Sequence, residues 1–266
     1  MAAVLAVLGL TLIATVLWDT FETVILPRRV TRRFRLTGLF YRYTWLPWSA
    51  VARRMRQGRR RETYLGFYGP LSLLLLLSVW AVGLILGFAL LQWGLGSALI
   101  APEGAASFGT DLYMSGTTFF TLGLGDVTPH SSMARAVTVA EAGTGFGFLA
   151  IVISYLPVLY QAFSRREVNI SLLDARAGSP PSATELLRRH SQGRHLEELS
   201  RLLYDWEHWS AELLESHLSY PVLGYFRSQH DNQSWLAALT TILDTSALVM
   251  VGIDGTPERQ AQLTFA

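Results

Sequence analysis

Three long apolar stretches limit what this chain can fold into. They run from Ala2 to about Leu26, from Pro70 to about Leu95, and from about Met133 to Phe163. Each is long enough for a helix that crosses a bilayer, which takes about 20 residues. Only 16% of the 266 residues are charged, whereas ordinary soluble domains carry about 25%. Both observations predict a membrane protein whose spanning segments are helices.

The distribution of arginine predicts how the chain crosses the membrane. Twelve arginines and no acidic residue lie between Arg28 and Arg61, whereas residues 96–132 contain no arginine. Short basic loops stay in the cytoplasm. We therefore expect a multi-pass protein of the plasma (cell inner) membrane. Its N-terminus should lie outside and residues 164–266 in the cytoplasm. The first apolar stretch is expected to be retained, because a signal peptide carries its basic residues before its apolar run.

Aromatic residues interleave with the arginines of the basic block, which is typical of a helix lying in the membrane interface. This placement between two apolar runs favours a lipid surface over nucleic acid as the partner. The chain has no cysteine, which excludes disulfides and cysteine-ligated metals. The interleaved residues are Phe34, Leu36, Leu39, Phe40, Tyr41, Tyr43, Trp45 and Trp48.

Two acidic residues, Asp19 and Glu22, lie one helical turn apart near the inner end of the first span. Acidic side chains inside a span are costly, and they tend to face protein partners or water. The sequence leaves open whether these two contact protein or sit at the level of the lipid headgroups.

The segment between the second and third spans has an unusual spacing of glycines. Residues 108–129 are too short to cross the membrane twice as helix, but their first half predicts a helix of about three turns, with Thr110 as its cap. In the second half, Gly123 and Gly125 alternate with leucines. Glycine takes backbone angles closed to other residues, so this alternation lets successive carbonyls point to one side. Rings of such carbonyls can replace the hydration shell of an ion in a narrow pore.

These residues resemble the potassium-channel pore family, whose filter reads threonine-valine-glycine-tyrosine-glycine followed by aspartate. The resemblance is close over residues 108–129 and extends in layout over residues 70–163. It implies an all-α membrane protein in which an outer helix, pore helix, filter and inner helix follow one another, with an extra N-terminal transmembrane helix and a cytoplasmic helical domain. It assigns the ion-binding selectivity filter to Thr121, Leu122, Gly123, Leu124 and Gly125.

The same resemblance implies that Thr118 supports the filter and that Asp126 braces its outer mouth. The chain departs from the family at Phe120, where the family usually has threonine, and at Leu124, where it has an aromatic residue. The leucine at position 124 bears on the strength of selection for potassium over sodium. The leucine side chains at 122 and 124 are expected to pack against the preceding helix.

The implied division of the chain is an N-terminal transmembrane helix at 1–27, an arginine-rich interfacial segment at 28–69, a pore domain at 70–163 and a cytoplasmic helical domain at 164–266. The implied function is a potassium-selective or potassium-preferring channel subunit, without catalysis and without a cofactor other than the permeating K⁺. One chain supplies one filter strand, and the ring takes four, so a homotetramer in a lipid bilayer is expected. The alternative is a non-conducting receptor or regulatory subunit with a pore-like fold.

The third span would line the cavity below the filter. Glu141 either attracts cations there or braces the filter by bonding to the pore helix, and we favour the brace. Gly143, Gly147 and Pro157 are candidates for the bend that opens the pore. For the glycines, the alternative is close packing between helices.

The sequence of the C-terminal domain predicts helices but does not identify a ligand. Ser182 and Glu185 have capping-box spacing, Gly193 marks a break before the second helix, and a third helix covers residues 234–251. A stripe of leucine and tryptophan is expected to pack between subunits. The histidines allow a metal site or pH sensing, but no pair has convincing ligand spacing. The stripe comprises Leu196, Leu199, Leu202, Leu203, Trp206, Trp209, Leu213 and Leu214, and the histidines include His190, His195, His208 and His217.

Overall fold

The structure is a computed structural model that describes residues 1–26, 35–102, 104, 106–191, 195–228, 232–252 and 257–266. Residues 27–34 of the predicted interfacial segment, Phe34 among them, the predicted break at Gly193 and the side chains of His195 and Leu196 lie outside the described residues. The helices are α1 Ala2–Thr20 with a π-helical turn Phe21–Ile25, α2 Leu36–Arg54, α3 Arg59–Gly94, α4 Phe108–Phe119, α5 Ser132–Ala177, α6 Ala183–His190, α7 His195–Ser219, a 3-10 turn Pro221–Tyr225, α8 Trp235–Gly252 and α9 Glu258–Phe265.

The fold is the predicted all-α membrane protein, and the strands among the residues described above form one short pair. Strands β1 Leu99–Ile100 and β2 Thr128–Pro129 run antiparallel on either side of α4. By length and composition, α1 with its π-helical turn, α3, α5 and α8 could each cross a membrane. The sequence predicts the first three as spans and α8 as a helix of the C-terminal domain.

Two predicted spans are parts of longer helices. Helix α3 begins at Arg59, well before the expected start at Pro70, and α5 continues past Phe163 to Ala177. The arginines, leucines and glutamate in these extensions are good helix formers, so each helix continues where its apolar composition ends. The apolar stretches located the spans, but composition could not give the ends of the helices.

The chain divides into two compact units, Met1–Trp45 with Leu71–Pro157, and Leu46–Pro70 with Val158–Ala266. In the first unit, α1 packs against α3 through small residues. A Cβ added to Gly9 would come within 2.6 Å of the Gly87 carbonyl oxygen and 2.7 Å of the Leu91 amide nitrogen. Glycines allow two transmembrane helices to approach this closely.

Asp19 joins three elements of the first unit. Its carboxylate accepts hydrogen bonds from the Trp80 indole nitrogen on α3 at 3.0 Å, and from the amide and hydroxyl of Thr37 on α2 at 3.1 and 2.6 Å. The side chain of Glu22 accepts a bond from the Trp18 indole at 2.7 Å and pairs with Arg35 at 3.6 Å. The question left open by the sequence is therefore answered, because both acids contact protein.

The C-terminal part of the second unit has its own hydrophobic core. Helices α6, α7, α8 and α9 and the last turns of α5 contribute its buried side chains, which include Ile170, Leu186, Leu203, Ile242 and Val249. The leucine and tryptophan stripe was expected to pack between subunits, and this expectation is wrong for its buried members. Their partners lie in the same chain, because α6, α8 and α9 cover that face of α7. The buried members of the stripe are Leu199, Leu202, Leu203, Trp206, Trp209 and Leu213.

Candidate functional site

Helix α4, Phe108–Phe119, is the predicted pore helix, but its cap is not the predicted one. The Ser107 side chain accepts a hydrogen bond from the Thr110 amide, and the Thr110 hydroxyl accepts one from the Ser107 amide. This reciprocal pair is a capping box. Thr110 therefore occupies the third helical position, and the cap lies three residues earlier because Ser107 already has extended backbone angles.

The C-terminal end of α4 holds the start of the predicted filter through its backbone. The Thr117 carbonyl accepts the amides of Leu122 at 2.8 Å and Gly123 at 3.4 Å, and the Thr118 carbonyl accepts the amide of Thr121 at 3.0 Å. These bonds use carbonyls that a helix end otherwise leaves without intrahelical partners. Thr118, predicted as a supporting residue, contributes here through its carbonyl, and Thr117 is a residue that the sequence analysis missed.

Along residues 121–125, the sign of the backbone angle φ alternates from one residue to the next. Thr121, Gly123 and Gly125 have φ of 58°, 57° and 79°, whereas Leu122 and Leu124 do not have positive φ. A positive φ is uncommon for a β-branched residue, so the backbone conformation of Thr121 must be stabilised by the contacts around it. When left- and right-handed residues alternate, successive peptide groups turn their carbonyls to the same side of the strand.

The two leucines within residues 121–125 are exposed. The exposed fractions are 62% for Leu122 and 63% for Leu124, so the expected packing against the preceding helix is absent within the chain. Helix α4 buries Met114, Ser115 and Phe119 within the chain, whereas the two leucines that follow it stay mostly exposed.

Asp126 is fixed to the pore helix by a residue whose role the sequence analysis missed. The Tyr113 hydroxyl donates a hydrogen bond of 2.8 Å to the Asp126 carboxylate. This bond lowers the pKa of Asp126, so the carboxylate stays ionised. The hydrogen bond also raises the pKa of Tyr113. The pair ties the end of the strand to the first half of α4.

Glu141 on α5 contacts the pore helix, as expected for a brace. Its side chain is 1% exposed and is hydrogen-bonded to the Ser115 hydroxyl, which also lies 2.8 Å from the Ile85 carbonyl oxygen on α3. One hydroxyl group therefore connects three helices behind the predicted filter.

The glycines of α5 differ in their surroundings. A Cβ at Gly145 would collide with the Phe119 carbonyl oxygen and lie 2.8 Å from the Phe119 carbonyl carbon, whereas nothing lies within 4 Å of a Cβ at Gly143 or Gly147. Close packing in the subunit thus uses Gly145, which was not among the gating candidates. The helix continues through Pro157, which is exposed.

Comparison with known proteins identifies the central segment. Residues 74–161 match the family described as "Ion channel". These residues are therefore similar to an ion-channel family. The matched residues 74–161, here called the channel segment, contain most of α3, all of α4, the irregular residues 121–125 and most of α5.

A curated relative is the "Uncharacterized membrane protein YdjJ" of Bacillus subtilis, which is 24% identical over 191 residues. The aligned region covers 71% of this chain and 55% of the relative, so the chain spans about half of that protein's length. No solved structure matches the chain with significance.

His190, His208 and His217, which lie outside the channel segment, have different surroundings. His190 lies 2.8 Å from the Leu186 carbonyl oxygen, and the ring of His208 lies 4.6 Å from that of Tyr204. Burial, and then the charge of Arg166, lowers the pKa of His217 to about 4. Within the described part of the chain, no group of three or more His, Asp or Glu side chains could hold a metal ion.

Proposed function

We propose that the chain is one subunit of a homotetrameric potassium-selective channel, in which four copies of residues 121–125 form the filter. The chain passes cations down their gradient and performs no catalysis. The observation that carries the proposal is the positive φ at Thr121, Gly123 and Gly125, within a segment that matches an ion-channel family.

A K⁺ ion must lose its water to enter a narrow pore, and backbone carbonyls on one side of a strand can replace that water. The Thr121 hydroxyl adds an oxygen at the inner end of the strand. The carboxylate of Asp126, held by Tyr113, adds negative charge at the outer mouth. Leu124 lacks the hydrogen-bonding group of an aromatic residue such as tyrosine, so the filter depends more heavily on backbone bonds such as those to Thr117.

The tetramer is supported by the surface that a single chain leaves uncovered. A carbonyl ring needs four strands, and each chain supplies one. Several large apolar side chains on the strand and on α5 are more than 60% exposed, and neighbouring copies around a fourfold axis would cover them or place them on the cavity. They are Leu122, Leu124, Val139, Phe146 and Ile153.

We place the protein in the plasma membrane with its N-terminus outside and residues 164–266 in the cytoplasm. The basic block supports this orientation, because residues 28–61 carry twelve arginines and the connection at residues 96–132 carries none. Helix α2 would then lie at the inner surface. Helix α8 belongs to the cytoplasmic domain in this arrangement, because its buried face packs into that domain's core.

Potassium flux into liposomes tests whether the purified protein conducts. Wild-type protein should take up K⁺, and Gly123→Asp should reduce uptake about tenfold or more, because a non-glycine residue at a left-handed φ costs roughly 1–2 kcal/mol even before the added carboxylate is considered. Gly252→Ala is a matched control, because Gly252 is helical with open space at its Cβ. Well-folded wild-type protein without flux would favour the non-conducting receptor or regulatory subunit.

Substitutions at Glu141 separate a brace from a cation-attracting charge. Glu141→Gln keeps a group that can hydrogen-bond to Ser115 and removes the charge, so we expect conductance close to wild type. Glu141→Ala leaves the buried Ser115 hydroxyl with one partner fewer and should lower thermal stability by about 1–3 kcal/mol. Single-channel conductance and thermal unfolding in detergent measure the two effects. A large loss of conductance in Glu141→Gln with normal stability would instead assign the charge to conduction.

A further inference from the structure

A short segment of the second unit contacts those parts of α3 and α5 that belong to the same unit. Residues 221–228, here called the strap, follow α7 and contain the 3-10 turn. The strap contacts α3 between residues 62 and 69 and α5 between residues 160 and 167, and all of these residues belong to the second unit. The channel function proposed above does not account for these contacts.

Arg166 fastens the strap to α5. Its side chain is 3% exposed, and its guanidinium donates hydrogen bonds to the carbonyls of Leu223 at 3.0 Å and Phe226 at 2.8 Å. It also pairs with Glu167 at 3.1 Å and lies 3.3 Å from the His217 ring nitrogen. A buried charge is costly unless hydrogen-bonded, so these bonds fix both the arginine and the strap.

Phe226 fills the space beside both helices. Its ring centroid lies 5.6 Å from that of Phe163 and 6.1 Å from that of Tyr160, both on α5. On α3, a Cβ added to Gly69 would come within 2.7 Å of the Phe226 ring. Gly69 thus permits a close contact between the strap and the α3 backbone.

Two further contacts secure the strap to α3. Arg227 pairs with Glu62 at 2.5 Å, and the ring of Tyr225 lies 5.3 Å from that of Tyr68. The side chain of Arg227 is 45% exposed and that of Glu62 is 30% exposed. Substitutions at this pair therefore change a surface contact rather than a core.

The strap is separate from the hydrophobic core of the C-terminal domain. Val222, Leu223 and Phe226 are buried, but none of them belongs to the cluster formed by α6, α7, α8, α9 and the last turns of α5. Loosening the strap therefore leaves that core in place.

We propose that Arg166 is a positioning residue for channel opening, because it fastens the strap that ties the inner end of α5 to the start of α3. This inference rests on the proposed function, in which α5 lines the cavity and α3 lies farther from the axis. A strap that ties α5 to α3 holds the inner helix away from the axis and favours the open pore. The C-terminal domain, which is continuous with the strap through α7, can then control opening by moving the strap.

Charge reversal at the exposed pair tests the strap in the full-length channel. Arg227→Glu should lower the open probability about fivefold or more, the range in which coupling between sites usually falls. Unitary conductance and reversal potential should stay unchanged, because the filter is untouched. The double variant Glu62→Arg with Arg227→Glu restores opposite charges and should recover the open probability. Arg188→Glu is the matched control, since Arg188 pairs with Glu185 on α6 at 2.7 Å, away from the strap.

Arg166→Gln is expected to lower the open probability at least as much as Arg227→Glu. If that variant does not fold, the charge reversal decides alone. The proposal is overturned if Arg227→Glu leaves the open probability unchanged or raises it, or if the double variant does not recover it.

Hydrogen exchange distinguishes failure of the strap from failure of the proposed function, because it needs no current. Amides of residues 158–166 should exchange faster in Arg227→Glu than in wild type and return to the wild-type rate in the double variant. This result in a protein without flux would reject the channel function and support the strap. Unchanged exchange would reject the strap whether or not the protein conducts.

Discussion

Gly145→Ala should abolish the current and destabilise the protein, whereas the same change at Gly143 or Gly147 should leave it folded. A Cβ at position 145 would lie 2.8 Å from the carbonyl carbon of Phe119 and 2.9 Å from its Cα. Both are backbone atoms at the end of the pore helix, so relief requires the helix itself to move. Overpacking of this kind costs about 1–3 kcal/mol, and sometimes more, and the shift displaces the start of the filter.

The three alanine variants form a matched set, because the chemical change and the helix are the same and only the available space differs. Nothing lies within 4 Å of a Cβ at Gly143 or Gly147, and alanine favours helix by about 1 kcal/mol over glycine. Thermal unfolding and liposome flux measure the outcome. A Gly145→Ala channel with normal stability and current would show that the pore helix does not need this close approach. Altered opening in a stable Gly143→Ala or Gly147→Ala channel would support the hinge hypothesis for that glycine.

Asp19→Ala should cause the second large effect. Asp19 is fully buried, and the substitution removes the acceptor for Trp80 and for both donors of Thr37. Hydrogen bonds to a charged group are worth roughly 1.5–3 kcal/mol each, so we expect a loss of about 3 kcal/mol or more. At about 2–4 °C per kcal/mol for a chain near this size, the midpoint of thermal unfolding should fall by about 10 °C.

Asp19→Asn provides an intermediate case, because its amide oxygen can accept from Trp80 or Thr37 while its amide nitrogen faces donors. Thr11→Ala on the exposed side of the same helix is the control, with an expected change within about 0.5 kcal/mol. An Asp19→Ala protein as stable as the Thr11→Ala protein would mean that α1 docks through its glycines alone.

The sequence predicted the features that depend on composition and local spacing. The apolar runs located the three spans, the glycine alternation indicated the unusual backbone angles of Gly123 and Gly125, and Ser182 caps α6 as its spacing to Glu185 indicated. Each of these depends on a residue's own backbone preferences or on a neighbour a few positions away.

The features that the sequence did not predict depend on partners far along the chain. Asp19 bonds to Trp80, 61 residues away, and no local pattern links the two. The sequence does not distinguish the three glycines Gly143, Gly145 and Gly147. In the structure, only Gly145 lies against Phe119. The leucine and tryptophan stripe on α7 was periodic enough to predict a buried face, but periodicity does not identify which surface covers it.

The reversal potential of the reconstituted protein under opposing potassium and sodium gradients tests the central claim most directly. The proposed filter predicts a reversal potential that follows the potassium gradient, by about 59 mV for each tenfold change for a monovalent ion at 25 °C. In Gly123→Asp the current should disappear, so that no reversal potential can be measured. A current that reverses near zero under these gradients, or that persists in Gly123→Asp, would contradict the claim that the carbonyls of residues 121–125 select potassium.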